Sequence, residues 1–375
     1  MKRILFYSDS KYLGGHELQT VNALKYLQNS FDIVFIVYSG NTNFIDFLKE
    51  LNIKIIEIDY CSTRFQILRT FVSFGHIYYL YKIIKQIQPN IILNIQGNIE
   101  FGSVMILVAK FVKYRSITYI PSCHFLSEVT NNGLIARVKD FVNILYYNLV
   151  NEFITINDFN KRLILQRGVK SKIHTVPNGI EFDKYKIYNK NKARKMLNLL
   201  EEKINIALVG RVQLWNKGHD ILLKMVNKYK NELKNYKFII VGTGEDLESF
   251  GQQVKELGLV EYFTFLGHQR DLSAVYSAID GIIIPSRFEA GAGTPMVLLE
   301  ALYYKLPIVM TNLPDMDAYL PINSLFKKGN VDDFFEKIIT IDAKIISESK
   351  RNEIVVKHSL DNFQKEFEKV ILKHE

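Results

Sequence analysis

Two basic residues in the second half of the sequence, Arg211 and Lys217, lie six positions apart in the stretch VGRVQLWNKGHD. A strand-like run, 204–209, ends just before this stretch, and a helical pattern, 221–229, follows it. Open parallel sheets bind ligands beyond the carboxyl ends of their strands, so both side chains are placed to meet a ligand. A guanidinium and an ammonium aimed at one point would neutralise the charge of a leaving diphosphate. The alternative is a pair of solvated surface cations, which is the commoner fate of Lys and Arg.

A second candidate region runs from Glu289 through a glycine-rich loop into a predicted helix that carries Glu300. A helix N-terminus binds phosphate through its backbone N–H groups and its dipole, which predicts a phosphate contact at the helix start near Gly293, Thr294 and Pro295. Ionised carboxylates accept hydrogen bonds from sugar or ribose hydroxyls, which suits Glu289 and Glu300. An exposed helical glutamate is the alternative for Glu300, but its apolar neighbours favour a buried or cleft position.

Glycines after other predicted strands leave room for a bound phosphate. Gly14 and Gly15 follow the first strand and precede a helix, where backbone N–H groups can approach a phosphate closely. Gly210 ends a strand of the second half, and Gly242 opens Gly-Thr-Gly after the next strand. Leu247 stands where a dinucleotide fingerprint has its third glycine, so NAD binding is disfavoured. An ordinary tight turn between strand and helix remains the alternative at the Gly14 and Gly242 pairs.

Two series of strand-like runs alternate with helical stretches. The first series comprises 3–7, 33–38, 53–58, 91–95, 117–120 and 153–156, and the second comprises 204–209, 238–241, 262–266, 281–284 and 308–310. Apolar strands between amphipathic helices predict parallel sheets covered on both faces. The fold class is therefore α/β, with two doubly wound domains, at 1–180 and 181–358. Apolar residues at helical spacing predict a C-terminal helix in 359–375 that packs across the domain junction.

The composition is that of a packed globular protein, with 48% apolar and 13% aromatic residues. The formal charge of +9 favours anionic partners. Nucleic acid is disfavoured because the basic residues are scattered and no nucleic-acid-binding motif organises them. The two cysteines form neither a disulfide framework nor a zinc motif, which fits a reducing cytoplasm. No signal peptide and no apolar run of the ~18 to 20 residues needed to span a bilayer are evident.

These motifs together carry a resemblance to retaining GT-B glycosyltransferases, the large group of bacterial lipopolysaccharide, capsule and mannosyl transferases. The resemblance runs nearly end to end, and its most specific part is the ordered set VGRVQLWNKG, FIIVGTGED, FLGHQRDLSAVYSAIDGIIIPSRFE, GTPMVLLEA and LPIVMTN. It implies two Rossmann-like domains that face each other across a cleft. It also implies a nucleotide-sugar donor, with UDP favoured over GDP. The transfer reaction that it implies requires neither a metal nor a further cofactor.

The resemblance also implies roles for particular residues. Arg211 and Lys217 match the clamp on the donor diphosphate, Glu300 the contact to the ribose hydroxyls, and Gly14 and Gly15 the phosphate side. His124, in YIPSCHF, is similar to the family histidine near the transferred sugar, and main-chain groups around Gln269 and Arg270 match the region that reads the base.

The sequence departs from the family in the spacing of its two glutamates. Glu289 and Glu300 are eleven positions apart, three more than is usual. We expect residues 290–292 to bulge, so that Glu289 still reaches the sugar. The alternative is that the sugar contact is lost.

The expected acceptor is a hydroxyl of a glycan or lipid-linked molecule in cell-surface polysaccharide synthesis, held by the first domain. The aromatic and basic segment 64–85 is suited to lie on the inner face of the plasma membrane, with a core-facing helix pair as the alternative. Two other functions stay open. One is a sugar-nucleotide epimerase or phosphorylase of the same fold, and the other is a nucleotide-sugar binder without catalytic activity.

Overall fold

A computed structural model of the chain describes residues 1–63, 66–129, 133–289, 294–343 and 346–373. The chain divides into two compact units. The first comprises Met1–Gly179 and the C-terminal helix, and the second comprises Ile180–Glu289 and Thr294–Ser359. Each unit is built on one parallel sheet.

The sheet of the first unit has seven parallel strands in the order β3-β2-β1-β4-β5-β6-β7. The strands are β1 Arg3–Ser8, β2 Asp32–Tyr38, β3 Lys54–Ile58, β4 Ile91–Ile95, β5 Arg115–Tyr119, β6 Glu152–Thr155 and β7 Lys172–Thr175. Its helices are α1 Gly15–Leu27, α2 Thr42–Glu50, α3 Gln66–Val72, α4 Phe74–Ile87, α5 Ser103–Phe111, α6 Leu126–Val129, α7 Gly133–Leu149 and α8 Asp158–Leu165.

The sheet of the second unit has six strands in the order β10-β9-β8-β11-β12-β13. The strands are β8 Ile204–Val209, β9 Tyr236–Val241, β10 Phe263–Gly267, β11 Gly281–Ile284, β12 Ile308–Thr311 and β13 Leu325–Phe326. The helices are α9 Lys190–Met196, α10 His219–Lys228, α11 Leu247–Glu256, α12 Ser273–Ala278, α13 Met296–Tyr303, α14 Val331–Ile338 and α15 Glu348–Lys357. The predicted α/β class with two doubly wound domains is confirmed.

Strand β1 shows why apolar runs form these sheets. Ile4 and Phe6 pack into a core with α1 and α2, while Leu5 and Tyr7 pack into a second core with α4 and α5. Successive side chains of a strand point to opposite faces, so a strand covered by helices on both sides must be apolar throughout.

Both sheets reverse their strand order beside their first strand. In the first unit the reversal lies between β1 and β4, and in the second unit between β8 and β11. Loops that leave two neighbouring strands in opposite directions open a crevice at this point, where ligands of such sheets bind. The loops after β1, β4, β8 and β11 are therefore the ones that can form binding sites.

Two short strands were not predicted from the sequence, β7 and β13. β7 is an edge strand, and two of its four residues are half-buried and one is exposed. β13 has only two residues. Neither is long enough or apolar enough to produce a strand pattern.

The C-terminal helix, α16 Leu360–Leu372, packs against α1 of the first unit. Its apolar residues are buried as the sequence pattern predicts: Phe363, Phe367, Val370 and Ile371. Arg115 donates hydrogen bonds from its guanidinium to the carbonyls of Ile371, at 2.6 Å, and Val370, at 2.9 Å. A basic side chain at these last carbonyls satisfies the C-terminal end of the helix. The expected position of this helix across the domain junction stays a prediction.

Among the described residues, no helix combines the length and the apolar character that crossing a membrane requires.

Candidate functional site

The first loop of the second unit's crevice leaves β8 at Gly210, whose φ of 147° favours glycine. This loop lies in backbone contact with the loop after β9. A Cβ atom on Gly242 would lie 2.0 Å from the carbonyl oxygen of Gly210, and one on Gly244 would lie 2.2 Å from that of Val212. Close packing of two backbones therefore requires glycine at 242 and 244. The predicted nucleotide contacts of Gly210 and Gly242 stay predictions.

Lys217 and Glu289 meet at this crevice as an ion pair. Lys217 lies on the loop after β8 and Glu289 on the loop after β11, which is the neighbouring strand. The Lys217 Nζ donates to both carboxylate oxygens of Glu289, at 2.8 Å to Oε1 and 2.7 Å to Oε2. The side chains are 28% and 13% exposed, so water still reaches the ammonium group. The structure thus joins two residues that were predicted to contact adjacent parts of one donor, the diphosphate and the sugar.

A second ion pair holds the same two loops together. The Arg287 guanidinium binds both carboxylate oxygens of Asp220, with Nη1 at 2.5 Å from Oδ1 and Nη2 at 2.7 Å from Oδ2. Nη1 also donates to the carbonyl of Trp215 at 2.6 Å, and the Arg287 backbone N–H donates to the carbonyl of Asn216 at 2.9 Å. A planar guanidinium suits this two-point contact. Arg287 therefore fixes the loop that carries Lys217 relative to the loop that carries Glu289.

Gly218 completes the junction of these loops. Its φ is +75°, and a Cβ atom there would lie 2.1 Å from the carbonyl oxygen of Pro285. Only glycine satisfies both the left-handed backbone and the close approach. The next residue, His219, is fully buried and has a ring nitrogen, Nδ1, 3.1 Å from the carbonyl oxygen of Gln213. Burial lowers the pKa of His219 to about 4, so its ring is neutral at pH 7.

Arg211 is exposed on the loop after β8. Within the described part of the chain it makes no ion pair and no hydrogen bond, although its charge acts on Glu245. The pKa of Glu245 is lowered chiefly by a hydrogen bond from Gln213 and to a smaller extent by Arg211. The structure therefore leaves the Arg211 guanidinium able to pair with an anion.

Glu300, on α13, is buried, with 8% of the residue exposed. The hydroxyl of Tyr276 donates to its Oε2 at 2.5 Å, and the hydroxyl of Tyr185 donates to its Oε1. Glu300 was predicted from the sequence as a site residue, but neither tyrosine was. Tyr185 is distant in sequence and lies in no recognised motif, so only the fold reveals this contact.

The remaining predicted donor contacts lie at strand and helix ends of the second unit. Thr294 and Pro295 are half-buried, and Pro295 precedes α13 as its N-cap. Gln269 and Arg270 follow β10, and the Gln269 side chain donates to the carbonyl of Leu266 at 2.7 Å. Gly293 and the expected bulge at 290–292 lie outside the described residues.

In the first unit, Gly14 is the N-cap of α1 and Gly15 is its first residue, so the helix begins three residues earlier than predicted. The Gly14 N–H donates to the Oε2 atom of Glu17 at 2.8 Å, and Glu17 Oε1 lies 2.8 Å from Nε2 of His16. Burial raises the pKa of Glu17, but the hydrogen bond and charge of His16 outweigh it and the net pKa is lowered. The carboxylate of Glu17 thus satisfies one of the N–H groups predicted to meet a phosphate. Around Gly15 the backbone is open, since a Cβ atom there would touch nothing within 4 Å.

His124 lies on the loop between β5 and α6, and its ring packs 5.8 Å from that of Phe159. A buried arginine supports this loop. Arg167 is 4% exposed, and its guanidinium lies 3.8 Å from the ring centre of Phe125 and 4.4 Å from that of Tyr147. Such cation–π contacts stabilise a charge that burial would otherwise destabilise. The predicted role of His124 beside the transferred sugar stays a prediction.

Asp9 was not predicted, although it directly follows the first strand at the crevice of the first unit. Its carboxylate accepts hydrogen bonds from the Ser62 hydroxyl at 2.7 Å and from the Gly102 N–H at 3.0 Å. The Tyr7 hydroxyl donates to it at 3.3 Å. Burial raises the pKa of Asp9 to about 6, and these hydrogen bonds oppose the increase. Asp9 therefore ties β1 to the N-terminus of α5.

Comparison with known families covers both units. The family model described as Glycosyltransferase Family 4 matches residues 13–184, and the model described as Glycosyl transferases group 1 matches residues 203–343. The chain belongs to the family 4 glycosyltransferases. This glycosyltransferase is 24% identical over 314 residues to an uncharacterized glycosyltransferase of Haemophilus influenzae, a match that covers 83% of this chain and 81% of that protein.

A second relative of this glycosyltransferase is the D-inositol 3-phosphate glycosyltransferase of Mycobacterium marinum. It is 32% identical over 206 residues, which covers 48% of this chain and 43% of that protein. The similarity is therefore limited to under half of each protein.

Solved structures resemble the glycosyltransferase over its whole length. The complex of Anabaena HepE with UDP superposes with a TM-score of 0.79 at 15% identity, covering 99% of both chains. The lipopolysaccharide outer core galactosyltransferase WaaB superposes with a TM-score of 0.73 at 18% identity, covering 100% of both chains. These likenesses identify the fold of this glycosyltransferase as GT-B.

The structure of the glycosyltransferase brings together only some of the predicted site residues. It joins Lys217 to Glu289 directly and places Arg211 on the same loop as Lys217. Arg287 and Asp220, which hold these loops together, were not predicted from the sequence. Both residues lay within the quoted motifs PSRFE and NKGHD, so the sequence contained the signal but not the pairing.

Proposed function

We propose that this glycosyltransferase is a retaining, metal-independent enzyme that uses a UDP-sugar as donor. It transfers the sugar to a hydroxyl of a glycan or lipid-linked acceptor in cell-surface polysaccharide synthesis. The observation that carries the proposal is the ion pair between Lys217 and Glu289 at the crevice of the second sheet. It brings a cation suited to a diphosphate and a carboxylate suited to a sugar into direct contact.

Two cations bind the diphosphate of the donor. Lys217 keeps 28% of its side chain exposed, and Arg211 is exposed without an ion pair among the described residues. When the anomeric C–O bond breaks, its electron pair passes to the diphosphate, and two nearby cations stabilise that charge. The N-terminus of α13, at Thr294 and Pro295, adds its dipole to the same group.

Glu289 contacts the sugar of the donor. The Arg287–Asp220 pair keeps the Glu289 loop next to the Lys217 loop, so the carboxylate stays close to the bound diphosphate. The acceptor oxygen forms the new C–O bond on the face from which the diphosphate leaves, which gives retention. The acceptor proton passes to a departing phosphate oxygen, so the step balances without a metal ion.

UDP is the proposed nucleotide because HepE, which shares the fold over its whole length, has been crystallised with UDP and with UDP-glucose. Lipopolysaccharide synthesis is supported by the likeness to WaaB, a lipopolysaccharide outer core galactosyltransferase. Both arguments depend on similarity of fold, so they favour a class of donor and acceptor and do not identify a particular sugar.

The donor proposal is tested by calorimetry with UDP and GDP, followed by assays of transfer and of donor hydrolysis. Lys217→Ala should lower turnover by about a hundredfold, since it removes charge stabilisation from the leaving group. Lys228→Ala is the control, because Lys228 pairs with Asp332 on the surface. Turnover unchanged in Lys217→Ala would refute the clamp. Tight binding of UDP-sugars without turnover for any acceptor would instead support a binder without catalytic activity.

The acceptor side includes a proposed membrane contact on the first unit. The exposed face of α3 and the start of α4 is apolar and aromatic, at Phe71, Val72, Phe74 and Tyr78. α7 exposes a further stripe at helical spacing: Leu134, Val138, Phe141 and Leu145. A contact between the rings of Phe71 and Tyr146, at 5.9 Å, joins α3 to α7. Arg64 and Phe65, at the start of the predicted segment, lie outside the described residues.

The charges around this surface favour an anionic bilayer. α3 and α4 contain no Asp or Glu, and the one acidic residue of α7, Asp140, is buried. Arg69, Lys82 and Arg137 supply positive charge on the same helices. Apolar side chains beside basic ones bind the surface of anionic membranes. The other face of α4, with Leu80, Ile83 and Ile84, packs into the core, as the alternative interpretation of this segment expected.

Sedimentation with vesicles of phosphatidylglycerol and phosphatidylcholine tests this contact. Phe141→Glu should abolish binding, while Ile322→Glu, at an equally exposed residue of the second unit, should leave it unchanged. Wild-type protein that stays in the supernatant with anionic vesicles would reject the membrane contact and leave the donor proposal intact.

A further inference from the structure

Glu300 is held by two tyrosine hydroxyls, one on each carboxylate oxygen. Tyr276, on α12, donates to Oε2 at 2.5 Å, and Tyr185, in the segment that enters the second unit, donates to Oε1. Tyr276 is 1% exposed and Tyr185 is half-buried. The carboxylate is therefore fixed from both sides by groups of the second unit.

Within the part of the chain that the structure describes, no basic side chain forms an ion pair with Glu300. Among the described residues, no Lys, Arg or His lies within ion-pair distance of Glu300, although the residue is only 8% exposed. An ionised carboxylate that is buried without hydrogen bonds is strongly destabilised. Among the described residues, the hydroxyls of Tyr185 and Tyr276 donate the side-chain hydrogen bonds that stabilise this carboxylate.

The tyrosines are themselves fixed as donors. The Tyr276 ring lies 5.1 Å from that of Tyr304, and the Tyr185 ring lies 6.0 Å from it. Burial, and then the charge of Glu300, raises the pKa of Tyr276 well above its usual value, and the same causes raise that of Tyr185. Both hydroxyls therefore keep their protons and must donate.

The lone pairs of the Glu300 carboxylate that the tyrosines leave free determine which ligand groups it can bind. A carboxylate has about four lone-pair sites, and the tyrosines use two of them. The other two can accept hydrogen bonds from neighbouring hydroxyls of a ligand. Two adjacent hydroxyls on one ring, as in a ribose, match that geometry.

We infer that Tyr185 and Tyr276 are positioning residues that confer specificity for ribose. They orient the Glu300 carboxylate so that its free lone pairs accept hydrogen bonds from the 2′- and 3′-hydroxyls of the donor. The inference rests on the proposed function, a UDP-sugar donor, and on the predicted contact of Glu300 with the ribose of that donor.

Calorimetry with UDP and with 2′,3′-dideoxy-UDP tests the inference. Wild-type protein should bind UDP more tightly than the dideoxy nucleotide. Tyr276→Phe and Tyr185→Phe should each weaken UDP binding about tenfold, since a hydrogen bond to a charged group is lost, and leave dideoxy-UDP binding unchanged. In the transfer assay, KM for the donor should rise while kcat changes little, because the ribose is remote from the reacting bond.

Tyr304→Phe is a matched control within the same aromatic cluster. Its hydroxyl donates to the carbonyl of Lys186 at 3.0 Å and not to Glu300, so this variant should bind both nucleotides like wild type. If the fully buried Tyr276 does not tolerate substitution, the half-buried Tyr185 carries the test alone.

Three results would overturn the inference. UDP affinity could be unchanged in both variants, or the affinity for both nucleotides could fall together, which would indicate a role in folding only. Wild-type protein could also bind both nucleotides equally, which would remove the ribose contact at Glu300. Failure of the wild type to bind UDP at all would instead reject the proposed donor.

Discussion

The guanidinium of Arg287 binds both carboxylate oxygens of Asp220, with Nη1 at 2.5 Å from Oδ1 and Nη2 at 2.7 Å from Oδ2. This ion pair joins the loops after β8 and β11. These loops carry Lys217 and Glu289. The two residues of the candidate site therefore owe their contact to a second pair that need not touch the donor.

Replacement of Arg287 by Lys should disturb the site more than the fold. A lysine keeps the charge but cannot make the two-point contact or reach the same backbone carbonyl. We expect the loss of about 1 to 3 kcal/mol of loop stabilisation, seen as a rise of about 5- to 150-fold in KM for the donor. Steady-state kinetics with a thermal melt measures both effects. Arg3→Lys, in an exposed pair with Asp32, is the control, and equal kinetics in the two variants would contradict this role.

Glu289→Gln should separate binding of the nucleotide from transfer of the sugar. Without the carboxylate, Lys217 loses its partner and is fully available to a diphosphate, so UDP should bind at least as tightly as to wild type. Turnover should fall by roughly a hundredfold if Glu289 acts on the sugar. Calorimetry and a transfer assay give the two numbers. Weaker UDP binding with normal turnover would assign Glu289 to the phosphate end instead.

Asp9 should make the first unit more stable at mildly acidic pH. Burial raises its pKa from 3.8 to about 6, so the folded state holds this proton more tightly than the unfolded state. Its contribution to the free energy of unfolding therefore rises as pH falls from about 7 toward 4, by roughly 3 kcal/mol. Asp9→Asn should remove this dependence, measured by urea unfolding at several pH values. Asp361→Asn, at an exposed residue, should leave the wild-type profile unchanged.

His219 should have the opposite effect in the second unit. Burial lowers the folded pKa to about 4, so the unfolded state, with the usual histidine pKa of 6.5, takes up the proton first as pH falls. The stability that this residue contributes is present above about pH 6.5 and is lost as pH falls toward 4, by roughly 3 kcal/mol. Urea unfolding of His219→Gln should show a flatter acid profile than wild type. An unchanged acid profile would mean that His219 takes up its proton at the same pH in the folded and unfolded states, which would contradict the lowered pKa.

Much of the fold followed from the sequence alone. Apolar runs such as 3–7 and 204–209 are long enough to show that both faces of a strand are buried, and parallel α/β sheets are the common result. The strands β7 and β13 were not predicted because both are short edge strands, and in β7 burial no longer dictates apolar residues.

The candidate site divides in the same way. The positions of Lys217, Glu289 and Glu300 after strands or on a helix could be read from the sequence, because a strand's carboxyl end is a local feature. Their partners could not. The contacts of Tyr185 with Glu300 and of Arg287 with Asp220 join residues 115 and 67 positions apart, and such pairings arise only when the sheet order brings their loops together. Sequence alone thus determined which elements carry the chemistry, and tertiary structure decided which charges meet.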